Sequence, residues 1–204
     1  MFITFEGIEG SGKSTQRQLL LRWLGSQNIS YVATREPGGT RIGKTLRDLL
    51  LSNDSMIASN RTELFLFAAD RCEHIEQVIK PALNQGDWVV CDRYVDSTFA
   101  YQCGGRQHKE SDILDIIRLT NAVEPDITFL LDLSPQEGLR RAEERGALDR
   151  FEKEALDFHN RVRSAYLDWA DRNSSRTMVI SVDQRSVDEI FEVIKTEIIK
   201  RSSL

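Results

Sequence analysis

The run Gly7-Ile8-Glu9-Gly10-Ser11-Gly12-Lys13-Ser14 constrains this chain more than any other stretch. It follows the apolar segment Phe2-Ile3-Thr4-Phe5 and leads into the helix-like Thr15-Gln16-Arg17-Gln18-Leu19-Leu20-Leu21. The spacing G-x-x-x-x-G-K-[ST] between a strand and a helix is a phosphate-binding pattern. Each residue type has a physical reason. Glycines let backbone N–H groups turn inward onto phosphate oxygens, Lys13 reaches the β- and γ-phosphates, and the Ser14 hydroxyl is a ligand for Mg²⁺. The helix that starts near Lys13 adds the positive end of its dipole. A glycine turn that bound nothing would have no need of Lys and Ser directly after its last glycine. The run from Gly7 to Thr15 therefore specifies a phosphate donor, ATP, and leaves the acceptor open.

At 204 residues, with 40% hydrophobic content, the chain can bury one sizeable core, and its length predicts a single domain, residues 1–204. The net charge of −5 and the lack of a basic block argue against a nucleic-acid partner. Lys13, Lys44, Lys80, Lys109, Lys153, Lys195 and Lys200 are the only lysines among 27 basic residues, so arginine, which makes bidentate phosphate contacts, dominates the positive charge. Cys72, Cys91 and Cys103 form no C-x-x-C pair and read as reduced thiols. Glu6 stands close behind a short apolar run with no basic region before it, which reads as a strand and not a secretion signal. No stretch approaches the ~20 apolar residues that span a bilayer. The expectation is a cytoplasmic protein with no membrane partner.

Strand-like runs recur at Phe2 to Phe5, Tyr31 to Ala33, Trp88 to Cys91, Ile127 to Leu133 and Met178 to Val182, with helical patterns between them. The alternation predicts an α/β fold, a parallel sheet with helices on both faces. Ser134-Pro135-Gln136-Glu137 and Ser186-Val187-Asp188-Glu189 both carry the capping-box spacing at predicted helix starts. In such sheets ligands bind beyond the carboxyl ends of the strands. After the second strand comes Thr34-Arg35-Glu36-Pro37-Gly38-Gly39-Thr40, a turn with two charges at its start. After the third comes Asp92-Arg93-Tyr94, where an aspartate can hold Mg²⁺ and an arginine can bridge two phosphates. Beyond the fourth, Arg141 and Arg145 lie four apart on one helix face, and Gly146 can end that helix before Arg150.

Together these stretches resemble the thymidylate kinase family, of the bacterial type with lid arginines, over nearly the whole chain. The likeness rests on Phe5 to Thr15, Thr34 to Thr40, Leu66-Phe67-Ala68-Ala69-Asp70-Arg71, Asp92-Arg93-Tyr94 with Ser97 to Gln102, and Arg145-Gly146-Ala147-Leu148-Asp149-Arg150. The resemblance implies a P-loop NTPase fold of nucleoside monophosphate kinase type, with a five-stranded parallel sheet and a lid over about residues 140–152. It implies transfer of the ATP γ-phosphoryl group to dTMP, giving dTDP and ADP, with Mg²⁺ at Ser14 and Asp92, in a homodimer packed through helices. It maps Phe67 to stacking on thymine and Arg71 to a base carbonyl, although the continuous apolar run Leu64 to Phe67 by itself reads as core. Thr98 maps to a hydrogen bond with the base. Tyr101 maps to crowding the sugar 2′ position, Glu9 to the 3′-hydroxyl, and Arg35 and Arg93 to the dTMP phosphate. Glu36, Pro37, Ser97 and Gln102 join that acceptor site, and Arg141 joins the ATP site.

Some family members carry arginine at the fourth place of the phosphate loop, where this chain has Gly10. The charge must then come from the lid. Bacterial relatives often place a further arginine at the position of Glu143, so the lid choice here narrows to Arg145, ranked ahead of Arg150 and Arg141. The nearest rivals are a kinase for another nucleoside monophosphate and a nucleotide-binding switch. The guanine-specific Asn/Thr-Lys-x-Asp element of such switches does not occur in the sequence.

Overall fold

The computed structural model describes residues 1–54, 57–146 and 148–202. Five parallel strands, β1 (Phe2–Glu6), β2 (Tyr31–Arg35), β3 (Trp88–Asp92), β4 (Ile127–Asp132) and β5 (Thr177–Ser181), lie in the order β2-β3-β1-β4-β5. The predicted runs match these strands to within two residues at each end. β1 sits at the centre of the sheet and every one of its residues is buried, which is why Phe2-Ile3-Thr4-Phe5 reads as an unbroken apolar run and not as an alternating one.

Helices cover both faces. α1 (Lys13–Ser26) and α9 (Val187–Ser202) pack against each other beside the sheet, and Leu20, Leu24, Ile190, Ile194 and Ile198 join Ile3, Phe5 and Phe129 in the main core. The i, i+4 spacing of these residues puts them on single helix stripes. α2 (Arg41–Leu51) packs on α3 (Asn60–His74), which continues through a π-helical turn, Ile75–Ile79, into α4 (Lys80–Asn84). The short α5 (Val95–Thr98) runs directly into a second π-helical segment, Phe99–Gly105. That segment packs along α8 (Leu156–Arg172), and α6 (Glu110–Leu119) and α7 (Pro135–Arg145) complete the cover. Gly104 and Gly105 permit the close approach, since a Cβ on Gly104 would stand 3.0 Å from the Arg161 carbonyl oxygen.

The two capping-box spacings divide. Ser186 and Glu189 bond reciprocally, with Ser186 N donating to Glu189 Oε2 at 2.8 Å and Glu189 N donating to Ser186 Oγ at 3.2 Å. Ser134 occupies the N-cap position of α7 but makes no side-chain cap bond. Glu137 is drawn away by Arg140 and Arg141, three and four residues along the same helix face.

Because every strand is parallel, their carboxyl ends share one edge. The register sets Phe5 and Arg35 on either side of Asp92, so the residues that follow β1, β2 and β3 emerge side by side.

Candidate active site

Three glycines shape the loop after β1. Gly7, Gly10 and Gly12 have φ of +135°, +72° and +91°, backbone regions open to glycine and strained for other residues. Lys13, the first residue of α1, folds back over the loop and donates from Nζ to the Gly7 and Ile8 carbonyls at 2.9 and 2.7 Å. Gly10 also lies against α7: a Cβ there would overlap the Gly138 carbonyl oxygen and stand 3.0 Å from Gly138 Cα and 3.1 Å from Arg141 Cβ.

Burial lowers the Lys13 ammonium to about 8, with Arg93 adding to the effect. Unfolded, the same amine titrates near 10.5, so the unfolded chain binds more protons between pH 8 and 10.5 and deprotonation of Lys13 favours the folded state as pH rises through that window. We expect kcat/KM for ATP, which reports the free enzyme, to fall above about pH 8 as Lys13 loses its charge. A pH–rate series checks this, and a profile flat to pH 10 contradicts it.

The loop opens onto a cavity of about 510 Å³ at the carboxyl edge of the sheet. Of the sequence-predicted residues, Glu9, Gly10, Gly12, Lys13, Ser14 and Thr15 line it from β1 and α1. Arg35, Glu36 and Pro37 line it from β2 onwards, Phe67 and Arg71 from α3, and Asp92, Arg93, Ser97, Thr98, Tyr101 and Gln102 from β3 and the segments after it. Arg141 and Arg145 close the rim from α7. Gly7, Ile8 and Ser11 form the back of the loop and do not line the cavity.

Arg93 is the hub. Its backbone has φ +65°, a left-handed conformation that a non-glycine residue adopts only when its surroundings enforce it. The enforcement comes from Glu6, fully buried at the end of β1, which accepts from Tyr94 N at 2.6 Å, Ser97 Oγ at 2.6 Å and Tyr166 Oη at 2.9 Å. Burial raises the Glu6 carboxyl to about 7, and the nearby Asp96 adds to the rise. The Arg93 guanidinium in turn donates to Tyr166 Oη at 3.0 Å and to Glu9 Oε1 at 2.8 Å, and lies 4.9 Å over the Tyr101 ring. Glu9 also accepts from Tyr101 Oη at 2.5 Å. Burial pushes the Glu9 carboxyl up, but Arg93, Lys13 and the Tyr101 hydroxyl together hold it below the usual carboxylate range. A carboxylate inside a phosphate loop is thus offset by the cations it faces.

On the opposite wall, Phe67 is half-buried and packs against Phe151 with ring centroids 6.0 Å apart, and Tyr101 meets Phe151 edge-on at 5.9 Å. Three aromatic rings therefore gather in the cavity that Arg71 also lines. The Arg71 guanidinium is buried and fixed by Glu36 at 2.9 Å and the Tyr94 carbonyl at 3.0 Å.

The lid arginines separate. Arg145 is exposed on the cavity rim and paired with the buried Glu152. Arg150 is turned away: it donates to the Leu50 carbonyl at 3.0 Å and to Glu63 Oε2 at 2.7 Å, and its guanidinium lies 4.6 Å over the Phe151 ring. It does not line the cavity. Glu63, only 1% exposed and already bidentate with Arg106, supplies the attraction. Ala147, at the centre of the predicted lid motif, lies outside the described residues.

A family model described as "Thymidylate kinase" matches residues 5–194. The chain belongs to the thymidylate kinase family. It is 46% identical to the thymidylate kinase of Maridesulfovibrio salexigens, covering 98% of this chain and 96% of that protein. It is 45% identical to that of Carboxydothermus hydrogenoformans, covering 95% and 94%. A crystal structure of thymidylate kinase from Ehrlichia chaffeensis is similar with a TM-score of 0.77 and 37% identity, covering 97% of each chain. The structure adds cavity residues to this thymidylate kinase family member that sequence reasoning did not single out: Arg47, Leu51, Asp149, Phe151 and Glu152. Arg47 reaches in from α2, which follows the Pro-Gly-Gly turn, and donates to the Pro37 carbonyl at 2.9 Å.

Proposed function

We propose that this enzyme transfers the γ-phosphoryl group of ATP to dTMP, giving dTDP and ADP for dTTP synthesis, and that both nucleotides meet at Arg93. The observation that carries the reading is the convergence on one cavity of the phosphate loop, the paired strand-end arginines Arg35 and Arg93, and the aromatic wall of Phe67 and Tyr101. Membership of the thymidylate kinase family supports it.

The backbone from Gly7 to Thr15 cradles the donor phosphates, with Lys13 leaving the loop carbonyls to reach the β- and γ-oxygens and Arg141 flanking them. Arg35 and Arg93 hold the acceptor phosphate. Its second pKa is about 6, so it presents an anionic oxygen at neutral pH and needs no general base. The protein's task reduces to in-line positioning and to neutralising charge on the moving phosphoryl group, for which Arg145 stands on the rim. Phe67 stacks on the base and Arg71 donates to a base carbonyl, favouring thymine over cytosine, with Thr98 and Gln102 beside it. Glu9 meets the 3′-hydroxyl, and Tyr101, held against Glu9, crowds the 2′ position. Glu36, Pro37 and Ser97 shape the same half of the cavity.

Ser14 and Asp92 fit Mg²⁺. Asp92 Oδ1 is buried with no hydrogen-bond partner among the described residues, and no cluster of three or more His, Cys, Asp or Glu among those residues would cage an ion alone. That suits a cation held by one or two protein oxygens together with substrate phosphates. Bound there, it would offset charge on the nucleotide's phosphate oxygens.

We read the chain as one kinase domain whose segment around residues 140–152 acts as a lid, and as a homodimer. Exposed Phe65 on α3, with Ile42 and Leu49 on α2 and Leu114 and Leu119 on α6, supports packing through helices. Sedimentation at the mass of a single chain would refute the dimer. Unpaired Cys72, Cys91 and Cys103 suit the cytoplasm, and no described helix is long and apolar enough to cross a membrane.

One assay tests the activity: Mg²⁺-dependent ATP consumption with dTMP, dUMP, dCMP, dGMP, AMP or no acceptor. We expect stimulation by dTMP and loss of that stimulation on chelation. Acceptor-independent hydrolysis would instead support a nucleotide switch, and stimulation by AMP or dGMP another monophosphate kinase.

A further inference from the structure

His74 sits at the end of α3, three residues after Arg71 and so on the same helix face, and is fully buried. It does not line the cavity. Both ring nitrogens are nonetheless engaged: Nε2 lies 2.6 Å from Thr34 Oγ1 at the end of β2, and Nδ1 lies 2.9 Å from Glu36 Oε1. The other Glu36 oxygen, Oε2, accepts from Arg71 Nε at 2.9 Å and stands 2.8 Å from Arg71 Nη2. Nη2 also donates to the Tyr94 carbonyl at 3.0 Å, and the guanidinium lies 5.2 Å over the Tyr94 ring. Nη1 is then the one guanidinium nitrogen without a partner among the described residues, on a side chain that lines the cavity.

We propose that His74 is a positioning residue for base recognition. By donating from Nδ1 to Glu36, it fixes the carboxylate that aims Arg71 Nη1 as a single free donor toward the nucleobase. The inference rests on the proposed role of Arg71 toward a base carbonyl.

A carboxylate oxygen accepts, so His74 Nδ1 carries its hydrogen toward Glu36, and Nε2 faces the Thr34 hydroxyl. This makes a directed chain from Thr34 through His74 and Glu36 to Arg71, in which each member leaves the next a single arrangement. Remove the Nδ1 donor and Glu36 Oε1 is left buried and unpaired. The carboxylate then turns to another donor, and the Arg71 fork, bound to it through two nitrogens, turns with it. The turn after β2 is built to admit the histidine: a Cβ on Gly39 would stand 2.7 Å from His74 Nε2.

Three variants and two monophosphates test the proposal, with KM and kcat for dTMP and dCMP and KM for ATP as readouts. His74→Phe keeps a buried ring and deletes the donor. We expect it to raise KM for dTMP about tenfold, the equivalent of one misaligned hydrogen bond. Its preference for dTMP over dCMP should fall by a similar factor, with kcat and KM for ATP within about twofold of the parent. His74→Asn places an amide nitrogen where Nδ1 was, and should restore KM for dTMP to within about threefold. A loss confined to kcat or shared equally with ATP would mark a structural role and overturn the proposal. His74→Asn as impaired as His74→Phe would do the same, because then bulk and not the donor matters. Arg71→Gln separates the inference from the reading beneath it. If Arg71→Gln loses base discrimination and His74→Phe keeps it, the relay is wrong and the base contact stands. If Arg71→Gln keeps discrimination, the base contact itself is wrong.

Discussion

Arg93→Ala is expected to lower kcat by about 10³ while the chain melts within a few degrees of the parent. The size follows from position. Arg93 sits between the loop's Glu9 and the Tyr101 ring, on a backbone held at φ +65° by Glu6. Its removal takes away the charge proposed to hold acceptor and moving phosphoryl together. The fold survives because Glu6 still accepts from Tyr94 N, Ser97 Oγ and Tyr166 Oη, none of which needs the arginine. Arg93→Lys should not restore the rate, because an ammonium cannot span Tyr166 and Glu9 with two fixed donors as the planar fork does. Steady-state kinetics beside thermal melting decides the matter: near-normal turnover by a folded Arg93→Ala protein would remove Arg93 from the reaction.

For the lid, Arg145→Ala should cost about 10³ in kcat if its guanidinium leaves Glu152 for the transferring phosphoryl group, the scale of an arginine finger. Arg150→Ala should behave differently. Its guanidinium neutralises Glu63 across 2.7 Å, so its loss should reduce stability by about 1–2 kcal/mol and kcat by less than about tenfold. Measuring both variants for turnover and melting temperature separates the roles. A kinetic loss concentrated in Arg150→Ala would reassign the finger.

How far the sequence carried the description depended on whether a feature was local. β1 was legible because a strand buried on both faces must be apolar throughout, and its loop because glycines, Lys13 and Ser14 follow one another without interruption. Arg93 and Asp92 were legible because they end a strand. The support beneath Arg93 was not: Glu6 and Tyr166 lie 160 residues apart, and only the folding of α8 across the sheet edge joins them. The contacts of Arg150 were hidden for a related reason. Spacing placed it beside Arg145, but the partner that turned it away, Glu63, lies on another helix 87 residues earlier. The two capping boxes show the limit at short range, where identical spacing gave a cap at Ser186 and none at Ser134 because Glu137 had nearer cations. The π-helical segment Phe99–Gly105, which presents Tyr101 and Gln102 to the cavity, has no periodic signature in the sequence, since its extra residue per turn is set by packing on α8.

The contact between Gly10 and Gly138 leaves position 10 no room for a side chain. An arginine introduced at position 10 meets the backbone of α7 before it meets any nucleotide, and Arg141 and Arg145 ride on that helix. A side chain at position 10 therefore pushes back the helix that holds both arginines on the cavity rim. Gly10→Arg cannot rescue a protein that has lost Arg145.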